Sequence, residues 1–188
     1  MVDPDADDLT LAQAFRKGDA GAAAALVERH GRPLMNYLRA QSPDAEDLFQ
    51  EAWHRAIRHI GSFKGGNFRA WLTVIARNCL IDAVRRKRPS VSLDAANADG
   101  WRLRDTLADP GEAAHARLTA DEERQRIIAC VQALPPAQRE VFLLRTQQDL
   151  SFAEIAGLLG IPLNTALGRM HYAVTKLRRE LETRHARE

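Results

Sequence analysis

Thr165, Gly168, Arg169, His171, Tyr172, Thr175, Lys176 and Arg179 fall on one side of a helical pattern near the end of this chain. Ala166, Met170, Ala173, Val174, Leu177 and Leu181 fall on the other. The first set mixes small, hydrogen-bonding and cationic groups, which is the chemistry that meets phosphates and base edges in a DNA groove. The second repeats at three- and four-residue steps and supplies a stripe for burial. Just upstream, Ser151-Phe152-Ala153-Glu154 has the form of a capping box, in which the Ser hydroxyl accepts the Glu154 amide and the Glu carboxylate accepts the Ser151 amide. A short helix should start there, with Ile155, Leu158 and Leu159 on its apolar face and Ala156 allowing a close crossing. Gly160 is placed to end it in a left-handed conformation, and Pro162 prevents simple continuation. This is helix-turn-helix spacing. Amphipathic helix pairs are common, so these residues alone leave a plain helical hairpin open.

No comparable constellation points to catalysis. His54 and His59 are five residues apart and do not stack on one helical face, and neither a Gly-rich Lys-Ser/Thr phosphate loop nor a Gly-x-Ser-x-Gly elbow is present. Asp44, Asp47 and Glu51 line a helix face that could hold a metal, but a solvated or protein-binding face fits them better. Cys79 and Cys130 lie far apart in apolar helical patterns, without the paired spacing of a zinc site, and read as core thiols. No enzyme activity, metal or cofactor is expected.

The elements that position these groups are almost all of helical period, so the fold is expected to be all-α. Leu9 to Lys17 and Ala20 to Ala40 form two helices, the second open to a kink at Pro33. Ser42 is placed as an N-cap and Pro43 at the first helical position. Ala45, Leu48, Phe49, Ala52, Trp53, Ala56, Ile57 and Ile60 then make a buried face. After the loop from Gly61 to Gly66, Asn67 caps a long helix with Phe68, Trp71, Leu72, Ile75, Cys79 and Ala83 inward, which ends in the basic run Arg85 to Arg88. From Pro89 the periodicity breaks and the charge reverses, with Asp94, Asp99, Asp105, Asp109 and Glu112 outnumbering Arg102 and Arg104. The expected organisation is therefore a helical domain at 1–88, a flexible acidic linker at 89–112 and a second helical domain at 113–188. The net charge of +2 is too small for indiscriminate coating of nucleic acid, so affinity must come from local clusters. The acidic N-terminus, with Asp3, Asp5, Asp7 and Asp8, is unlike a signal peptide, and no apolar run approaches the roughly 18 residues of a membrane span. A cytoplasmic location without membrane insertion is expected.

Four blocks in order carry a family resemblance: Asp44-Ala45-Glu46-Asp47-Leu48-Phe49-Gln50-Glu51 with Trp53; Phe68-Arg69-Ala70-Trp71-Leu72 with Ile75-Ala76-Arg77-Asn78 and Asp82; Leu134 to Phe142; and Leu150 to Ala156 with Leu159-Gly160-Ile161-Pro162. Together they resemble an extracytoplasmic-function sigma factor, a small two-domain initiation subunit of bacterial RNA polymerase. The resemblance implies a first domain that binds core polymerase and reads the minus-ten promoter element, and a second that reads the minus-thirty-five element. Promoter DNA, core RNA polymerase and an anti-sigma factor are the implied partners. It assigns polymerase binding to Asp44, Asp47, Gln50 and Glu51, and minus-ten contacts to Lys64, Asn67, Arg77, Asn78, Arg85 and Arg86. A flipped base needs stacking or edge hydrogen bonds and its backbone needs cations, which these side chains supply. Asn67 also fits a simple cap, and Phe68 and Trp71 fit core packing better than base stacking. Minus-thirty-five contacts fall to Arg139, Thr165, Leu167, Gly168, Arg169, His171, Tyr172 and Lys176.

The chain departs from the family pattern on the reading helix. Where the family usually has Gly-Thr-Val, a cation and Ser-Arg, this chain has Asn164-Thr165-Ala166-Leu167-Gly168-Arg169, and Tyr172 replaces a frequent Arg. Leu167 fits either the groove, where it can meet a thymine methyl, or the core, because 163, 167, 170 and 174 share helical spacing. Two other classes stay open on sequence: a free-standing helix-turn-helix regulator and a helical interaction module without DNA function.

Overall fold

A computed structural model of the chain describes residues 3, 5–87 and 126–185. Every regular element among them is helical, as expected, and the chain divides into two compact units, Met1–Arg102 and Leu103–Glu188. The acidic segment 89–112 and the expected return of periodicity near Ala113 lie outside the described residues.

The first unit contains α1 (Asp8–Arg16), α2 (Ala20–Arg39), α3 (Ala45–His59), a 3-10 turn (Ile60–Ser62) and α4 (Phe68–Lys87). Asp7 caps α1 by accepting the Thr10 amide at 3.0 Å, and this bond holds its carboxyl below the usual range. Helix α2 continues through Pro33 as one element. Leu11, Leu26, Leu34, Tyr37, Leu38, Leu48, Phe68 and Leu72 form the buried centre of this bundle. The start of α3 differs from expectation. Ser42 Oγ accepts the Asp44 amide at 3.2 Å, but that closes a turn, and the helix begins at Ala45 with Asp44 as an N-cap that makes no side-chain bond. Its buried face is also narrower: Ile57 is exposed and Phe49 half-buried, because α2 and α4 cover α3 along one stripe only. On α4, Ala76 and Thr73 are buried while Trp71, Ile75 and Ala83 are half-buried. Thr73 tolerates burial because its hydroxyl donates to the Arg69 carbonyl at 2.7 Å.

The second unit contains α5 (126–132), α6 (Pro136–Thr146), α7 (Phe152–Leu159) and α8 (Leu163–His185). Helix α8 packs on both α6 and α7, over Val141, Leu144, Leu150, Ile155, Ala166, Ala173 and Leu177. Val174 is exposed and Met170 and Leu181 half-buried, so the inward stripe of α8 is also narrower than expected. At 3.6 residues per turn Val174 lies about 80° around from Ala166, past the edge that α6 and α7 cover. Cys79 and Cys130 are buried free thiols, and burial pushes the Cys79 thiol up.

Candidate nucleic-acid interface

The capping box forms with both of its reciprocal bonds. Ser151 Oγ accepts the Glu154 amide at 3.2 Å, and the Ser151 amide donates to Glu154 Oε2 at 2.7 Å. Gly160 ends α7 at φ 65°, ψ 35°, a left-handed conformation that a side chain would strain. Pro162 then accepts the Thr165 and Ala166 amides at 2.9 and 3.2 Å, which starts α8. The turn before α7 is set by Arg145, whose Nη1 donates to the Leu150 carbonyl at 3.1 Å and to Asp149 Oδ1 at 3.3 Å. Asp149 itself adopts φ 52°.

On α8 the outward arc carries Leu167, His171 and Tyr172, all exposed, with Thr165, Gly168 and Arg169 half-buried beside them. Leu167 is 42% exposed, which removes it from the core. A Cβ built on Gly168 would meet none of the described residues within 4 Å, so their packing does not require glycine there. Two assigned cations point elsewhere. Arg139 Nη1 donates to the Gln132 carbonyl at 2.8 Å and is partly desolvated, and Lys176 Nζ donates to the Ala133 carbonyl at 3.1 Å.

In the first unit the loop before α4 carries Lys64 and Asn67 at the surface, and its path uses positive φ at Gly65 (111°) and Gly66 (86°). Asn67 Oδ1 accepts the Ala70 amide at 3.2 Å and so caps α4. The loop rests on rings: Phe63 and Phe68 lie 5.1 Å apart, and Trp71 is 5.2 Å from Phe68. Phe68 is fully buried, whereas Trp71 is half-buried and its Nε1 donates to Ser62 Oγ at 3.3 Å. Ser62 in turn donates to the His59 carbonyl at 2.8 Å, so the two ends of the loop are tied together. Further along α4, Asn78 and Arg85 are exposed and seven residues apart on one face, with Arg77 half-buried alongside and Arg86 donating back to the Asp82 carbonyl at 3.4 Å. From Asn67 to Arg85 the rise is about 27 Å, so the loop and the basic end of α4 are well-separated features of the surface.

On α3, Asp47 and Gln50 are exposed, and Asp44 and Glu51 are half-buried. Glu51 Oε1 accepts Arg55 Nε at 2.6 Å, and Arg55 Nη1 reaches Asp82 Oδ2 on α4 at 2.7 Å. These bonds hold both carboxyls below their usual range. The sequence reading missed Arg55 as the bridge. Its four-residue spacing from Glu51 was a readable signal, whereas its pairing with Asp82 depends on how α3 and α4 pack. Among the described residues no cluster of His, Cys, Asp or Glu is arranged to hold a metal.

Residues 26–89 match the family profile described as Sigma-70 region 2, and residues 124–177 match Sigma-70, region 4. The chain is 31% identical over 172 residues to the ECF RNA polymerase sigma factor SigW of Bacillus subtilis (strain 168), covering 88% of this chain and 92% of that protein. It is 31% identical over 173 residues to the ECF RNA polymerase sigma-E factor of Escherichia coli (strain K12), covering 88% and 90%. Among solved structures, CnrH in complex with the cytosolic domain of CnrY is similar at a TM-score of 0.66 and 25% identity, over 96% of this chain and 99% of that one. The sigma factor RpoE from Bartonella quintana, solved with the anti-sigma factor NepR, shares the fold at a TM-score of 0.62 and 20% identity, over 90% and 98%. With a region 2 bundle followed by a capped region 4 helix-turn-helix, the chain belongs to the extracytoplasmic-function sigma factors.

Proposed function

We propose that this chain binds core RNA polymerase and directs it to a particular subset of promoters. The observation that carries the reading is the pairing, in one chain, of a four-helix unit bearing an exposed acidic face with a separate unit bearing a capped helix-turn-helix. A free-standing regulator needs only the second unit, and the α1–α4 bundle with its basic-ended α4 has no role in that alternative. In this reading residues 1–88 engage polymerase and the minus-ten element, residues 89–112 connect, and residues 113–188 engage the minus-thirty-five element.

Polymerase contacts are assigned to Asp44, Asp47 and Gln50, with Glu51 setting the face through Arg55. Minus-ten contacts are assigned to Lys64, Asn67, Arg77, Asn78, Arg85 and Arg86. For the minus-thirty-five element the outward arc of α8 supplies Thr165, Leu167, Gly168, Arg169, His171 and Tyr172, while Arg139 and Lys176 support the helices behind it. An anti-sigma factor is the regulatory partner class proposed, since the similar structure of RpoE was solved with the anti-sigma factor NepR and that of CnrH with the cytosolic domain of CnrY. Among the described residues no helix is long and apolar enough to cross a membrane.

The test is reconstitution. Core polymerase plus this chain should start transcripts at discrete sites on genomic DNA where core alone does not, and the chain should co-purify with core. Binding to DNA without any binding to core would support the free-standing regulator instead.

A further inference from the structure

Leu163, Leu167 and Val174 are 47%, 42% and 38% exposed, and their four- and seven-residue spacing sets them along one flank of α8. Three large apolar side chains aligned on a solvent-facing flank imply a partner surface, since isolated ones need no explanation but rows do. The same helix says what kind of surface. From Leu163 to Arg179 it carries Arg169, Arg178 and Arg179 beside the internally engaged Lys176, and no acidic residue, so the occupant is a polyanion. Gly168 adds an independent indication. It lies in the interior of a helix, where glycine is unfavourable, yet open space surrounds the position where its Cβ would be. Nothing among the described residues accounts for glycine there, whereas close approach of an external backbone or base edge does.

A polyanion that also offers apolar groups to a helix is duplex DNA with thymine methyls in the major groove. We infer that Leu167, flanked by Leu163 and Val174, reads a thymine methyl in the upstream promoter element, and that Gly168 lets α8 sit close enough for that contact. The inference rests on the assignment of the second unit to upstream DNA and names the feature it recognises.

The experiment uses holoenzyme assembled from core polymerase and the full chain, on a promoter library randomised over the upstream element. A library that yields no enriched upstream sequence would overturn the assignment of the second unit to DNA, and the inference with it. With an enriched duplex in hand, each thymine of the element is replaced in turn by deoxyuridine, which deletes only the methyl. At least one replacement should weaken binding about fourfold, the worth of one buried methyl group. Leu167→Ala should abolish that difference between thymine and uracil, and Leu167→Gln, which keeps the bulk, should change the base preferred at that position. Melting temperatures of both variants are expected to match wild type, because Leu167 is outside the core. An enriched duplex indifferent to every thymine-to-uracil change would overturn the inference while leaving upstream DNA recognition intact. So would a Leu167→Gln variant with unaltered base preference, the result expected if this flank serves a protein partner.

Discussion

Arg139 and Lys176, from α6 and α8, hold two successive carbonyls at the end of α5: Arg139 Nη1 donates to Gln132 at 2.8 Å and Lys176 Nζ to Ala133 at 3.1 Å. Cations at a helix C-terminus satisfy carbonyls that have no partner within the helix and complement the negative end of its dipole. Two positive groups that the sequence placed on DNA are thus engaged inside the second unit, and the outward arc of α8 is less cationic than its composition suggests.

Arg139→Ala should therefore act on stability. Loss of a half-buried charged hydrogen bond costs about 1.5–3 kcal/mol, and loss of the exposed Lys176 contact about 0.3–1 kcal/mol. Thermal melting of the second unit should report both losses in that order. The salt dependence of DNA binding, which falls by about one counterion for each phosphate contact removed, should stay unchanged in both variants.

At the face of α3 proposed to dock on polymerase, Asp47→Lys tests docking more cleanly than Glu51→Lys, because Glu51 also braces Arg55 against Asp82. Asp47 is exposed, so its reversal should leave melting unchanged while weakening core binding by several kcal/mol, the scale of like-charge juxtaposition across an interface. Glu51→Lys should lower both stability and core affinity. Titration of fluorescently labelled chain with core polymerase, beside circular dichroism melts, separates the two effects.

Gly168→Ala should raise the stability of the second unit by about 0.5–1 kcal/mol, since alanine favours a helix interior and the added methyl meets open space. The same change should weaken binding to an upstream element if α8 approaches the groove along this strip. A variant that gains melting temperature and keeps full DNA affinity would show that no close approach occurs at residue 168.

Acidification should loosen the first unit through His30. This side chain is buried, 4.9 Å from the Phe68 ring, with Nε2 3.0 Å from Asp8 Oδ1 and Nδ1 without a partner, an arrangement suited to the neutral ring with its proton on Nε2. Burial lowers its pKa from the usual value near 6.5, against the opposing pull of Asp8, while Arg69 and Arg29 push the same way as burial. A folded-state pKa below the unfolded one means the unfolded chain binds more protons in that window. Stability is then full above pH 6.5 and falls as pH drops through the folded-state value. His30→Gln should flatten that pH dependence in urea melts between about pH 7 and pH 5.

The sequence determined the class and the order of parts. Helical period, the Ser151–Glu154 capping box and Gly160 were local signals, and each formed as read because a cap or a left-handed helix end depends only on residues within one turn. The outcome at Ser42 shows the limit of that reasoning, since a capable side chain closed a turn and the helix began after it. What only the tertiary structure decided was which faces are covered. Periodicity could not place Leu167 in or out of the core, nor exclude Ile57 and Val174 from it, because a stripe's width is set by how much of it the neighbouring helices reach. The destinations of long charged side chains were equally hidden. Arg55 found Asp82 twenty-seven residues away, and Lys176 found a carbonyl forty-three residues away, through packing of helices that no local pattern encodes.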